Sequence, residues 1–537
     1  MKFLKFSLTI LLLGWTSGCG DDFLDINTDP TRSDEASVLT VMPGAQTAYV
    51  SALLTNINYG PMAYVQYITT TGFFNNAFSR YIADGASFAN GWNDLYSNAL
   101  PDLEYIIENG EAQGFPELVP VAMLQKAYVY SIMVDVWGEI PFSEATQKEK
   151  NFSPAFEEGS NIYSALMTSV DDALAMLENY DGIPASADII YGGDLERWKK
   201  MGLSLKFKML VQTRLIDDTA ADQLSSLLQE EAELINTNED DFQFRFGASQ
   251  NPENRHPLYR NHYEPGKTFF MNNYFISLLR HPNEGQAVGV AVTDPRLRYY
   301  IYRQTGEDPE LGTSDYPCSG VPNCLFGYQG DGYISRDGGT LEIIGNDGAI
   351  RSTFGVYPVG GLFDDDSFQI VGLGDGGQGQ GVYPMLTNFM MKFLRAEAAL
   401  LMGTGEDARS LLEEGIRASV SKVMDYSISV ATVGEAYAPT INDINAYVTE
   451  VLAKYDEALN NQARLDVVME QAYIALFGNG IEAWNNYRRT GYPASLPEAI
   501  DPLGPYPMRL LYSVDELNTN NTINEQTSQQ KAVFWDN

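Results

Sequence analysis

Residues 242–381 are rich in glycine, proline, asparagine and aromatic rings and hold few long amphipathic runs, whereas the chain on either side repeats apolar residues at helical spacing. That change of texture restricts the fold more than any single motif does. A helical body must here carry a long irregular excursion of loops and short strands. Before the excursion, Leu118, Val121, Leu124, Tyr128, Ile132 and Val136 recur at threes and fours and form one stripe within 116–137. Asp194 is placed to cap a helix that turns Trp198, Leu205, Met209 and Leu215 inward and leaves Arg197, Lys199, Lys200 and Lys206 largely in water. Thr219 with Asp222, Thr404 with Asp407, and Thr440 with Asp443 have the spacing of a reciprocal cap. The helical signal resumes near Tyr383 and runs to about Arg489. The expectation is a mainly α protein with a helical scaffold at 37–236 and 383–490, an irregular insert at 242–381, and no flexible linker between independent domains.

The N-terminus carries an address. Lys2 and Lys5 precede a short apolar run at 6–13, followed by Thr16, Ser17, Gly18 and Cys19. A run of that length cannot span hydrocarbon, so 1–18 reads as a cleaved export signal. Small residues before Cys19 resemble the bacterial lipobox, in which that cysteine is acylated and becomes the mature N-terminus. The mature chain, 19–537, is then held at a membrane by lipid. Removing 1–18 takes two lysines from 34 basic residues, and 32 against 71 acidic ones leaves a charge of −39. Such a polyanion repels phosphate backbones and anionic lipid surfaces, which excludes nucleic acid as a partner and leaves the lipid as the only membrane attachment. The most apolar later run, 119–137, contains Gln125, Lys126 and Asp135, so no further membrane crossing is expected.

Chemistry-bearing residues are sparse. Cys318 and Cys324 stand in a loop-like stretch and can close a small disulfide in an oxidising compartment, while their spacing lacks the second pair a zinc site uses. His256, His262 and His281 form no ligand pattern. Gly372, Gly374 and Gly377 fit the dinucleotide fingerprint by letter, but no strand–turn–helix unit surrounds them. Asp25, Asn27 and Asp29 start like a calcium loop, and Pro30 and Ala36 break it. Asp364, Asp365 and Asp366 could meet a hard cation, although such triplets are usually solvated turns. No metal and no cofactor is therefore expected. No serine elbow is present, and nothing singles out the carboxylate pair a glycosidase would need.

Several blocks resemble one family. The residues after Cys19 read GDDFLDINTDP at 20–30; DVWGEIPF stands at 135–142, GDLERWKK at 193–200 with Ser204, Leu205 and Lys206 behind it, FGNGIEAW at 477–484 and YRRTGYP at 487–493. RDG at 336–338 and RSTFGVYPVGG at 351–361 look like the middle of one branch. In order and number these blocks resemble the SusD/RagB-type outer-membrane nutrient-binding lipoproteins, in the SusD-like branch.

The resemblance implies a tetratricopeptide-like helical scaffold, surface export, and capture of an oligosaccharide or similar oligomer for a SusC-like TonB-dependent transporter at the outer membrane, without catalysis. A glycoside hydrolase and a peptide-binding lipoprotein are the alternatives. No internal repeat of the usual consensus is readable. Trp137, Trp198 and Trp484 are expected in the core, and Glu482, Arg488 and Arg489 in an ion pair that fixes the last helix. Sugars offer flat C–H faces to rings and hydroxyls to polar groups, so recognition is expected in loops. Two regions have that mixture. One holds Phe73, Phe74, Asn75, Asn76, Phe78, Arg80, Tyr81 and Asp84, with Trp92 starting a packed helix behind them; the other holds Tyr263, Phe269, Phe270, Tyr316, Tyr328, Tyr333 and Arg336.

Overall fold

The computed structural model describes residues 36–536 apart from 71–76, 148–149, 230–232, 265–268, 281–288, 314, 320, 322, 341–349 and 524. Cys19 and the acidic stretch behind it lie outside the described residues, as does His281. The near half of the scaffold is built from α1 (Val38–Leu53), α2 (Asn56–Tyr64), α3 (Gly85–Asp94), α4 (Leu100–Asn109), α5 (Leu118–Trp137), α6 (Gly159–Leu177), α7 (Leu195–Gln212) and α8 (Ala220–Gln229). By length and composition alone Val38–Tyr64 would pass for a membrane span. It is instead α1 and α2, whose inner faces lie in the core. The stripe of α5 packs on α4 and α6, and α6 on α7, so consecutive helices cover one another's apolar faces.

Helix starts follow side-chain chemistry. Asp194 caps α7 by accepting from Arg197 N at 3.2 Å, and α7 then ends at Gln212, which leaves Leu215 outside it and 46% exposed. Arg197, Lys199, Lys200 and Lys206 are half-buried rather than solvated, because Asp194, Glu196, Asp240 and Asp171 pair with them. Before α8, Thr219 turns its N–H and hydroxyl onto Asp217, the N–H at 2.9 Å, in place of the Thr219 and Asp222 pair.

The insert contributes α9 (Pro257–Tyr263), α10 (Asn273–Leu279) and α11 (Leu297–Tyr300), and the far scaffold α12 (Asn388–Leu401), α13 (Ala408–Val430), α14 (Ile441–Glu457), α15 (Asn461–Ala475) and α16 (Gly480–Thr490), with α17 (Val514–Thr519) near the end. Asp407 alone caps α13, without Thr404, whereas Thr440 and Asp443 form the reciprocal cap of α14. Tyr383 lies in a strand, and the far scaffold's first helix begins at Asn388.

Four short antiparallel pairs join the parts. β4 (Phe242–Arg245) pairs with β8 (Val382–Leu386), Phe242 opposite Leu386 and Arg245 opposite Val382. These strands are the two ends of the insert, zipped into a neck. β1 (Ile68–Thr70) pairs with β5 (Phe269–Met271) and ties the insert to the near scaffold, while β6 (Ile301–Tyr302) and β7 (Thr353–Phe354) pair within the insert. β2 (Ile140–Pro141) and β3 (Phe156–Glu157) form the fourth pair.

The matched blocks meet in a buried ionic cluster. Asp135 on α5 accepts from Lys208 Nζ at 3.2 Å, Asn485 Nδ2 at 3.2 Å and Trp535 Nε1 at 2.9 Å, and from the Tyr163 hydroxyl. Lys208 also meets Glu482 at 2.9 Å, and Arg489 meets Glu397 at 2.7 Å. Arg488 donates to Asp135 O and Met508 O, with its guanidinium 3.7 Å from the Trp484 ring centroid. Burial raises the Glu482 pKa against the pull of Lys208, and burial draws Arg488 down to about 10. Trp137, Trp198 and Trp484 are fully buried; Trp484 meets this cluster through Arg488, whereas Trp198 donates Nε1 to Asp188 at 2.9 Å and Trp137 to Leu511 O at 3.1 Å. α5 ends at Gly138, whose φ of +79° suits glycine, and the Arg509 guanidinium lies 2.9 Å from where a Cβ would stand.

Candidate functional site

Few of the expected ligand contacts survive inspection of their surroundings. Phe73, Phe74 and Asn76 lie outside the described residues. Phe78 and Tyr81 are buried beside Tyr64, and the Tyr81 hydroxyl accepts from Ala499 N at 3.0 Å. Tyr263 is buried, donating to Phe354 O at 2.7 Å and accepting from Leu362 N at 2.8 Å. Phe270 and Arg336 are buried too, and the guanidiniums of Arg336 and Arg351 stand 5.2 and 4.9 Å from the Phe270 centroid. Phe78, Tyr81, Tyr263, Phe270 and Arg336 are therefore turned inward, and Phe78, Tyr81 and Tyr263 belong to one core that scaffold and insert share. Trp92 ends α3 rather than starting it. Arg80 donates Nε to Asp501 O at 2.8 Å, and Tyr328 hydrogen-bonds Asp308 at the insert's edge, where Cys318 and Cys324 are joined with Cα atoms 5.9 Å apart. Asp337 stands near that pair, but bonded cysteines offer no thiolates and Asp337 already accepts from Leu325 N and Phe326 N.

Tyr333 leads elsewhere. It lines a cavity of about 720 Å³ between insert and far scaffold, larger than two others of about 640 and 390 Å³. One wall is the insert, with Arg280 just past α10, Arg298 on α11, Arg303 after β6, and Asp331 beside Tyr333; the other is the turn from Ala436 to Thr440 that leads into α14. The local sequence explains the insert wall. Tyr299, Tyr300, Ile301 and Tyr302 are buried, which sends Arg298 and Arg303 at the two ends of that run toward the cavity.

Aspartates order these arginines. Arg303 grips Asp364 with Nε at 2.7 Å and Nη2 at 3.2 Å, and donates Nη1 to Asp331 O at 2.9 Å. Arg298 Nη1 reaches Asp366 Oδ1 and Asp364 O, both at 2.8 Å. Asp364 and Asp366 are thus occupied by guanidiniums rather than offered to a cation, and Asp365 accepts from Ser367 N at 3.1 Å. Burial raises the Asp364 pKa against the pull of Arg303; burial also acts on Asp366, but Arg298 and Arg303 hold it below the ordinary range. The Tyr333 ring lies between Arg280 and Arg303, with centroid distances of 4.9 and 4.8 Å, and burial pushes its hydroxyl pKa up, so it stays neutral. Opposite, Tyr437 is 40% exposed, with Arg298 4.9 Å from its centroid. The cavity offers an open ring, guanidinium planes and carboxylates at close quarters.

Sequence reasoning did not find Arg280, Arg298, Arg303, Asp331 or Tyr437. Tyr437 had a signal, an aromatic ring beside Pro439 in the short turn before a readable helix cap. The arginines had none, since their partners stand far away along the chain.

Comparison with known proteins agrees with this architecture. A SusD-like family described as starch-binding and associating with the outer membrane matches residues 30–513. A chitin-binding SusD homologue from Flavobacterium johnsoniae is 18% identical, superposes with a TM-score of 0.68, and the alignment covers 93% of this chain and 99% of that one. A SusD homologue from Bacteroides fragilis is 17% identical with a TM-score of 0.68, covering 94% and 99% of the two chains, and a further chitin-binding protein is 20% identical with a TM-score of 0.66, covering 93% and 100%. Among curated proteins, none matches. The chain belongs to the SusD-like family.

Proposed function

We propose that this protein is a lipid-anchored capture protein at the outer-membrane surface that binds oligosaccharide in the cavity between insert and far scaffold and passes it to a SusC-like TonB-dependent transporter. The observation that carries the reading is the cavity wall itself. The Tyr437 ring is open for a pyranose face, and ordered guanidinium and carboxylate groups lie beside it for hydroxyls. Family membership and the chitin-binding relatives support a glycan as the occupant. Binding without hydrolysis fits the carboxylates. A glycosidase needs one carboxyl held protonated within reach of the sugar; Asp366 is held below the ordinary range by the arginines and Asp443 by its hydrogen bonds with Thr440, while Asp364, the carboxyl that burial raises, is fully buried against Arg303. Cys19 as lipid attachment rests on the sequence, and the open Tyr437 ring favours a sugar over a peptide.

The test is recovery of the mature protein from gently solubilised outer membranes. A roughly stoichiometric TonB-dependent barrel recovered with it supports delivery. Recovery of the lipoprotein alone counts against the transporter partner, and release of sugar from a glycan by the purified protein counts against binding without chemistry.

A further inference from the structure

Every arginine on the cavity wall is paired with aspartate. Arg303 is closed on Asp364, Arg298 on Asp366, and Arg280 on Asp331; behind them Arg296 meets Asp294 at 2.6 Å with both side chains fully buried. Asp443, on the rim, is committed to the cap of α14. Four guanidiniums thus face five carboxylates, which leaves the wall neutral to slightly negative. The arginines still offer hydrogen bonds. Arg298 reaches its aspartates through Nη1 and keeps 29% of its side chain exposed, and a guanidinium carries five N–H donors.

A hydroxyl or amide oxygen needs only such a donor. A sugar carboxylate or sulfate would bring a second anion to guanidiniums whose charge is already met, and would add to the negative charge of Asp331 and Asp443 on the wall and rim. We infer that the cavity selects neutral oligosaccharides over acidic ones of the same length, with the aspartate-paired arginines serving as donors rather than as anion receptors. This inference rests on the glycan-binding reading of the same cavity.

Calorimetric titration of the mature protein at physiological salt, which screens the chain's overall negative charge, tests it. The probes are maltopentaose, cellopentaose, xylopentaose and chitopentaose, with pentagalacturonate as the acidic counterpart. At least one neutral sugar is expected to bind, and pentagalacturonate roughly tenfold more weakly or not at all. Asp331→Asn, at a side chain 72% exposed and so tolerant of change, removes one negative charge and is expected to narrow that ratio severalfold. Asp443→Asn is the second variant and is expected to act in the same direction. Pentagalacturonate binding as tightly as the best neutral sugar, or a ratio that neither variant moves, overturns the inference and leaves glycan capture standing. Failure of every sugar to bind overturns both.

Discussion

The ionic cluster around Asp135 and the one around Asp364 are made of the same parts and differ in what surrounds them. In the first, Lys208 and Glu482 are each 2% exposed, with helices on every side and the C-terminal Trp535 as a plug. In the second, Arg280 and Arg298 reach into a cavity, while Asp364 and most of Arg303 are sealed behind them. A charge pair inside a helical core can only fix how α5, α7 and α16 sit together. The same pair on a cavity wall leaves donor edges facing outward, where the proposed glycan would meet them.

Breaking the sealed cluster should have the largest effect. Lys208→Met leaves Asp135 and Glu482 without their ammonium, and chemical denaturation is expected to show a loss of about 3–5 kcal/mol. Acid should reach the insert by another route. The His256 Nδ1 accepts from Leu258 N at 3.2 Å and caps α9, and burial lowers its pKa from 6.5 to about 3. Unfolded, that imidazole takes its proton near the ordinary value. Folded, it does so only near about 3, so the stability it supports is full above 6.5 and is lost as pH falls from there. His256→Asn keeps a capping acceptor and removes the titration; the pH dependence of unfolding between 6.5 and about 3 should flatten.

The open cluster should respond in binding and barely in stability. Tyr437→Ala is expected to lower affinity for a bound oligosaccharide about tenfold or more while unfolding stays within about 0.5 kcal/mol of wild type. Arg280→Met parts a pair whose Asp331 side is 72% exposed and should cost no more than about 1 kcal/mol in the same denaturation experiment, a fraction of the Lys208→Met loss. If Arg280→Met proved as damaging as Lys208→Met, the contrast between the two clusters would fail.

Local chemistry was legible in the sequence and distant pairing was not. The stripe on α5, the Asp194 cap and the Thr440 to Asp443 cap follow from neighbours three or four residues apart. Leu215 was misplaced because the same periodicity runs past the point where α7 stops. The insert hid more. Phe270 and Tyr263 have the composition of loop aromatics on a surface, yet strand pairing between β1 and β5 and the closure of the neck bury them. Arg303 and Asp364 are 61 residues apart, and no spacing rule joins them. Tyr333 was a candidate because an aromatic ring in a glycine-rich loop suits a sugar; which residues stand beside it was decided by the fold.

Hydrogen exchange of the mature protein with and without a bound neutral pentasaccharide tests the central claim most directly. Protection gained at 297–303, 331–333 and 436–443 together is the predicted result, since those segments meet only at the cavity. Protection confined to 200–234 and 395–406, where the cavity of about 640 Å³ lies, would contradict it.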